Sequence, residues 1–249
     1  MRVTLAQVDA RATAADNLDL VRRVVGQHPR SLVVFPELCL NGYDLHTVGD
    51  TALNLDGPEL ATVADVARAA RSTVVVGFAE RDGDRVANSA AVLSADAARL
   101  HVYRKTHLFG SERDAFVTGG ELSVAHADGR ALGPMICFDM EFPEVARTLA
   151  ARGTDVLVTI SANMPPFGPD HDIFVRARAL ETHLPHVYVN RVGTLAGLEF
   201  VGESQAMRAD GTVAARLGDT EEIVEVELQA VDVDERVDYA PQLRPELYL

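Results

Sequence analysis

Three side chains that could do chemistry together each follow an apolar run of the sequence. Glu37 follows SLVVF (31–35) and Pro36, Lys105 follows ARLHVYR (98–104), and Cys137 follows RALGPMI (130–136). Catalytic groups of α/β proteins collect just past the carboxyl ends of strands. A thiol needs a base before it becomes a strong nucleophile, and a carboxylate can be that base. An ammonium can stabilise both a thiolate and an oxyanion, so the set indicates attack by a cysteine on a carbonyl carbon.

Each of these residues also has an ordinary structural interpretation. A single cysteine at a strand end is usually a small buried apolar residue. A glutamate in a loop is usually solvated, and a lysine at a strand end is usually a surface charge. Taken one at a time, the structural interpretation is favoured for all three. The catalytic hypothesis depends on three strands ending in three complementary groups.

The elements that must position these groups follow from hydrophobic periodicity. Strands alternate with helices twice, with hairpins between and after, and the C-terminal third (202–228) is predicted to form strands with Asp-Gly and Gly-Asp turns. This order predicts an α/β fold with two sheets covered by helices, a four-layer αββα sandwich in a single domain over 1–249. A doubly wound single sheet remains the alternative. The predicted strands are 3–8, 31–35, 73–80, 86–94, 98–105, 130–137, 155–161 and 186–192, and the predicted helices are 16–28, 57–71, 142–153 and 170–183.

Composition excludes several classes of function. The 249 residues carry 23 Lys and Arg against 37 Asp and Glu, a net charge of −14. Such a surface repels phosphate backbones and anionic lipids, so we expect neither nucleic acid nor membrane as a partner. No apolar run is long enough to span a bilayer and the first residues lack a signal core, which favours a cytoplasmic location. Two cysteines cannot build a disulfide framework.

Three blocks of the sequence resemble the signature blocks of the nitrilase superfamily, the carbon–nitrogen hydrolases. They occur in the family's order, and the resemblance covers nearly the whole chain because GESQAMRADGT (202–212) is similar to a later strand–turn block. The three blocks are FPELCLNGYD (35–44), YRKTHLFGSERDAF (103–116) and GPMICFDMEFPEVARTLAARGTDVL (133–157).

The resemblance implies a catalytic triad of Glu37, Lys105 and Cys137, with Glu112 as a second glutamate seven residues after the lysine. It implies an αββα sandwich, a thioester intermediate, and an oxyanion held by Lys105 and the backbone N–H of Phe138. It also implies a homodimer or higher homo-oligomer that uses the helix after the cysteine. No metal or organic cofactor is expected.

The block CFDMEFPE (137–144) is most similar to that of aliphatic and ω-amino amide amidases; many members carry a basic or aromatic residue where Glu141 stands. The expected substrate is a small aliphatic carboxamide, including amides with an amino or guanidino tail. The acids Asp139, Glu141, Asp170 and Asp172 would then give the pocket mouth a negative field, or else lie on the surface. An N-carbamoyl amine or amino acid hydrolase, and a non-catalytic binding or scaffold protein, are the alternatives. Further candidate substrate-binding residues are Tyr43, His107 and Asn163.

Other reactive residues are predicted to be structural. Cys39 has no positive partner nearby in sequence, and Ser204 in GESQA lacks the second glycine of a nucleophile elbow. No standard metal-ligand spacing is present among the histidines, which are expected at helix ends and on the surface. His107 is equally compatible with the pocket and with loop packing. The histidines in question are His171, His183 and His186.

Overall fold

Two six-stranded sheets form the centre of the protein. The structure is a computed structural model that describes residues 1–9, 11, 13–95, 100–232 and 234–247. The strand order is β14-β1-β2-β3-β4-β5 in the first sheet and β13-β12-β9-β8-β7-β6 in the second. The first-sheet strands are β1 (Arg2–Gln7), β2 (Leu32–Val34), β3 (Thr73–Asp82), β4 (Arg85–Leu93), β5 (Leu100–Arg104) and β14 (Glu222–Glu227); those of the second are β6 (Ala125–Ala127), β7 (Arg130–Ile136), β8 (Val156–Ser161), β9 (His186–Asn190), β12 (Gln205–Met207) and β13 (Val213–Arg216).

Helices cover the outer face of each sheet. The α-helices in the described part of the chain are α1 (Ala14–Gln27), α2 (Val48–Thr51), α3 (Pro58–Ala70), α4 (Glu112–Ala115), α5 (Pro143–Ala151) and α6 (Gly168–Thr182). Apolar residues of α1 and α3 pack on the first sheet, and those of α5 and α6 pack on the second. A further core, including Leu5, Val34, Ile136 and Ile160, lies between the sheets. The predicted four-layer αββα sandwich is therefore confirmed, and the doubly wound single sheet is excluded.

The strand directions bring the candidate residues to one edge. Strands β1, β2 and β3 are parallel, and so are β7, β8 and β9. Strand β5 is antiparallel to β4, which is antiparallel to β3, so β5 runs in the same direction as β2. The segments that carry Glu37 and Lys105 consequently leave the first sheet at the same edge.

The predicted elements agree with the observed ones to within a few residues, and the misses are short. The start of the predicted strand 98–105 lies outside the described residues, and that strand is seen from Leu100. Helix α4 lies in the stretch expected to be a loop, and a 3₁₀ helix, Cys137–Glu141, intervenes before α5. The remaining elements are the hairpin β10 (Val192–Leu195) and β11 (Leu198–Val201) and three 3₁₀ turns, Glu235–Val237, Ala240–Gln242 and Pro245–Leu247. No described helix meets the length and apolarity that a bilayer crossing needs.

Candidate active site

The turn that carries Glu37 packs closely against the backbone of β3 in the first sheet. The chain turns after Pro36, and Leu38 adopts a positive φ of 48°. Gly77 of β3 lies against this turn so closely that a Cβ there would be 2.5 Å from the Leu38 nitrogen. The Glu37 carboxyl is fully buried, and its Oε1 accepts from Asn88 Nδ2 at 2.7 Å and from Lys105 Nζ at 2.7 Å. Its Oε2 has no hydrogen-bond partner among the described residues.

The charge of Lys105 is fixed between two carboxylates. Its Nζ donates to Glu37 Oε1 at 2.7 Å and to Glu112 Oε1 at 2.8 Å, and the side chain is 1% exposed. Burial by itself lowers the pKa of Lys105, but the two carboxylates outweigh it and the pKa lies well above its ordinary value. Lys105 is therefore a permanent buried ammonium. Burial also raises the pKa of Glu37, an effect that the Lys105 charge only partly offsets.

Glu112 opens the short helix α4 and ties this loop to the site. Its Oε2 accepts from the Phe109 N–H at 2.8 Å, while its Oε1 accepts from Lys105 and from the Tyr43 hydroxyl at 2.8 Å. Tyr43 is almost completely buried. Burial, followed by the nearby Glu112 charge, raises the pKa of Tyr43, so its phenol stays protonated and donates. Tyr43 thus holds the second glutamate in place.

Cys137 stands where β7 ends, with a positive φ of 47° that is unusual for any residue other than glycine. Such a strained position at a strand end is typical of functional sites, where it turns a side chain away from the strand. Burial, then the Glu37 charge, raises the pKa of the thiol. The resting side chain is consequently a neutral thiol. The Lys105 charge, and then the Ser161 hydroxyl on the neighbouring strand β8, act in the opposite direction and lower the pKa of the thiol in part.

One narrow cavity contains Cys137 together with Lys105. Aromatic rings line this cavity, together with the polar side chains of Glu141 and His171. Asn163 also lines it, and its side chain is engaged with backbone groups of Met164 and Phe167. The full lining is Tyr43, Lys105, Phe109, Cys137, Phe138, Glu141, Ala162, Asn163, Met164, Phe167 and His171.

Asp139, predicted as a substrate contact, is not among the residues that line this cavity. Its carboxylate is fully buried and accepts from the Tyr103 hydroxyl, the Thr106 and His107 backbone N–H groups, and the Ile136 N–H at 2.8–3.2 Å. It therefore joins the loop after Lys105 to the strand before Cys137. Asp139 thus holds the segments that carry Lys105 and Cys137 in place.

His107 also lies outside the lining, so loop packing is the better of its two interpretations. Its Nδ1 is 2.9 Å from Asp139 Oδ1, and its ring stacks on Phe142 at 4.0 Å.

The expected negative pocket mouth is likewise reduced to one acid. Asp172 pairs with Arg216 at 3.0 Å and Asp170 is exposed, and neither lines the cavity. Only Glu141 of the four acids does.

Comparison with known proteins agrees with this geometry. The carbon–nitrogen hydrolase family model matches residues 2–236. The chain belongs to the carbon–nitrogen hydrolase family. It is 34% identical to a hydrolase in the pqqF 5′ region of Pseudomonas protegens, covering 100% of this chain and 90% of that one. It is 35% identical to an (R)-stereoselective amidase of a Pseudomonas species, covering 95% of this chain and 88% of that one.

Solved structures of the family resemble this carbon–nitrogen hydrolase over its whole length. One is a variant amidase from Nesterenkonia sp. AN1, seen after Michael addition of acrylamide at its active-site cysteine. It superposes with a TM-score of 0.88 at 27% identity, covering 100% of this chain and 98% of that one. The adduct in that amidase shows that a cysteine of this fold reacts with an electrophilic amide.

The other reactive residues of this hydrolase lie in structural positions. Cys39 belongs to the core under α1 and α3, where burial raises its pKa to about 12. Ser204 is fully buried and pairs with the backbone of Asn190. His186 is buried and hydrogen-bonds to the Thr159 hydroxyl and the Val175 carbonyl. His183 hydrogen-bonds to the Val237 carbonyl. Among the described residues, no group of three or more His, Cys, Asp or Glu could hold a metal ion.

Sequence reasoning missed a chain of hydrogen bonds near Cys137. The Tyr188 hydroxyl lies 2.9 Å from His171 Nδ1 and 3.4 Å from Ser161 Oγ, and the Ser161 hydroxyl lowers the pKa of the Cys137 thiol in part. The sequence also predicted His171 only at a helix end or on the surface, whereas His171 is buried and lines the cavity. One signal was available, because Ser161 ends the apolar strand β8 as Cys137 follows β7.

Proposed function

We propose that this carbon–nitrogen hydrolase is an amidase that converts a small linear carboxamide to a carboxylate and ammonia through a thioester on Cys137. The observation that carries the proposal is the arrangement of Glu37 and Lys105 beside the cysteine cavity. Glu37 keeps one buried carboxyl oxygen without a partner, while its other oxygen is held by the Lys105 ammonium. A base with a free oxygen and a fixed cation next to a thiol suit acyl transfer.

The first half-reaction begins when Glu37 removes the thiol proton and the Cys137 sulfur attacks the amide carbon. The carbonyl oxygen becomes an oxyanion, which Lys105 Nζ and the Phe138 N–H stabilise. Phe138 is the second residue of the 3₁₀ helix Cys137–Glu141, whose first N–H groups have no acceptor within the helix. Glu37 returns the proton to the amide nitrogen, the carbon–nitrogen bond breaks, and ammonia leaves a thioester behind.

Water completes the cycle. Glu37 takes a proton from the water molecule, whose oxygen bonds to the thioester carbon. The carbon–sulfur bond breaks, the proton returns to the sulfur, and the carboxylic acid departs. Glu112 takes no proton in this sequence, because its Oε1 already binds Lys105 and Tyr43. It keeps the ammonium aimed into the cavity.

The raised pKa of the Cys137 thiol fits this order of events. A neutral thiol in the resting site is protected from adventitious alkylation and oxidation, since the thiolate is the reactive form. Deprotonation is expected to accompany attack on a bound amide rather than to precede substrate binding.

Ammonia release from a panel of short amides, measured beside four variants, tests the proposal. Cys137→Ala is expected to abolish turnover with the fold intact. Glu37→Gln and Lys105→Ala are each expected to lower kcat/KM by about a hundredfold or more, the usual effect of losing a general base or an oxyanion donor. Cys39→Ala is the matched thiol control and is expected to keep its activity, because Cys39 lies in the core.

Covalent trapping separates this proposal from the alternatives. Acrylamide, followed by intact-mass and peptide analysis, is expected to modify Cys137 and to leave Cys39 unmodified. Carbon dioxide released with ammonia from N-carbamoyl substrates, without turnover of simple amides, would instead identify an N-carbamoyl hydrolase. A protein that neither turns over any substrate nor forms an adduct would be a binding or scaffold protein, and the amidase proposal would fail.

A further inference from the structure

The charge of the active-site cavity is unbalanced toward the negative. Lys105 is the only lysine or arginine among the described residues that line it, and both hydrogen bonds of its Nζ go to carboxylates. Among the described lining residues Glu141 alone has a carboxyl group. Glu37 and Glu112 bind Lys105 without lining the cavity. The Lys105 charge is thus already paired with two carboxyl groups, and Glu141 has no lysine or arginine partner in the described part of the chain. An amide substrate that also carried a carboxylate would meet like charge and would find no free cation to bind it.

Glu141 is arranged to receive a ligand. It lies four residues after Cys137 in the same 3₁₀ helix, and its side chain lines the cavity and is 27% exposed. Its Oε1 is 3.3 Å from His171 Nε2, and its Oε2 has no hydrogen-bond partner among the residues that the structure describes. Because an ionised carboxylate only accepts hydrogen bonds, the free oxygen calls for a donor.

His171 fixes the direction in which Glu141 points. The imidazole is 3% exposed, and its other nitrogen, Nδ1, is 2.9 Å from the hydroxyl of the buried Tyr188. The Tyr188 ring packs edge-on against the imidazole at 5.5 Å. A carboxylate held by a buried histidine, whose two ring nitrogens are both hydrogen-bonded, loses little side-chain entropy when it binds a ligand. That preorganisation favours a specific contact over a solvated surface acid.

The remaining wall suits a cation on an apolar chain. Phe109 packs edge-to-face with Phe138 at 5.4 Å and with Phe167 at 5.5 Å, and all three rings line the cavity. Aromatic faces attract an ammonium through their quadrupole, and they exclude water around it. Met164 and Ala162 offer contact to methylene groups.

We infer that Glu141 is a specificity-determining residue that binds an ammonium group carried by the amide substrate. The substrate class is then an aliphatic amide with an amino group at a short distance from the carbonyl, in preference to neutral or carboxylate-bearing amides. The inference rests on the proposed amidase function, and it adds the chemical identity of the substrate group at the far end of the carbon chain from the amide.

A charge series on one carbon chain tests it. The probes are 4-aminobutanamide, pentanamide and glutaramate, which end the same propyl chain in an ammonium, a methyl group and a carboxylate, together with homologues one methylene shorter and longer. Ammonia release gives kcat/KM for each. We expect the ammonium compound to exceed the methyl compound by about tenfold or more, as for a hydrogen bond between charged groups, and the carboxylate compound to be slowest.

Variants assign the selectivity to Glu141. Glu141→Gln is expected to reduce the ammonium-to-methyl ratio of kcat/KM to about one, and Glu141→Lys is expected to raise the carboxylate compound above the ammonium compound. Glu144→Gln removes the same charge from an exposed position of α5 and is expected to leave the ratio as in the parent protein. Thermal unfolding of each variant checks that the fold is retained.

The outcomes separate this inference from the proposed function. If all three end groups are hydrolysed equally, or if Glu141→Gln leaves the ratio unchanged, the ammonium site is refuted while the amidase function stands. If no amide is hydrolysed and acrylamide does not modify Cys137, the amidase function itself fails. A selectivity that falls equally in Glu144→Gln would show a long-range charge effect and would also overturn the assignment to Glu141.

Discussion

At the scale of single residues, the site combines buried carboxyl groups, a buried cation and a neutral thiol. The Lys105 ammonium compensates for part of the cost of burying two carboxylates, and Glu37 retains a raised pKa. Asn88 acts on the same carboxyl, because its hydrogen bond to Glu37 Oε1 stabilises the ionised form. Removing one partner of such a cluster is expected to change proton affinity before it changes the fold.

The pH dependence of activity follows from this balance. Glu37 must be ionised to act as a base, and its pKa lies above the ordinary 4.5. Activity is therefore expected to fall with decreasing pH, with a midpoint of the acid limb of kcat/KM above 4.5. Asn88→Leu removes a hydrogen bond that favours the carboxylate, so it is expected to move this midpoint to higher pH.

The measurement is a pH profile of kcat/KM for the parent and for Asn88→Leu, with ammonia release as the signal. A purely structural role for Asn88 would lower the rate equally at every pH. An unmoved or downward-shifted midpoint would contradict the assignment of Glu37 as the base whose ionisation the profile reports.

At the scale of elements, the sequence indicated the strands and their terminal residues but not how the loops close the site. Glu37, Lys105 and Cys137 were predicted as a set because each follows a short apolar run and lies in a block that resembles the family's signature. The positioning role of Asp139 was not, since its partners Tyr103 and Thr106 are more than 30 residues away and the contacts depend on two separate loops meeting. Helix α4 has only four residues and too short a pattern for periodicity to show it.

One glycine makes the close packing at Glu37 testable. A Cβ at Gly77 would lie 2.5–2.7 Å from backbone atoms of Pro36, Glu37 and Leu38, so the turn must move if alanine replaces it. Gly77→Ala is expected to lower kcat/KM by about tenfold or more and to destabilise the protein by about 1–3 kcal/mol. Ammonia release and urea denaturation measure the two effects.

Gly49→Ala is the matched control, because Gly49 lies in α2 with no atom within 4 Å of an added Cβ. It is expected to keep full activity and stability. A fully active Gly77→Ala protein would mean that the Glu37 turn tolerates displacement, and the requirement for this close approach would be withdrawn.

At the scale of the whole molecule, α5 and α6 extend from the site to an apolar groove on the outer face of the second sheet. The groove runs between these helices and the C-terminal turn that includes Ala240, and it includes Ala150, Leu180 and Leu243. Leu180 and Leu243 are each 43% exposed, a large apolar exposure for a protein of charge −14. The sequence predicted a homodimer through resemblance alone; the groove supplies a physical reason for that prediction.

We expect two copies to cover this groove in solution, with a mass of about 54 kDa, twice the 26.9 kDa of the chain, by light scattering after size exclusion. Leu180→Glu places a charge in the groove and is expected to shift the protein toward the monomer. Ile173→Glu is the control, because Ile173 lies on the same helix, is 64% exposed and does not line the groove. A monomeric parent, or dissociation by Ile173→Glu instead, would refute this interface. Since the 3₁₀ helix with Cys137 and Glu141 leads directly into α5, retained activity of the Leu180→Glu monomer would show that the site is complete within one chain.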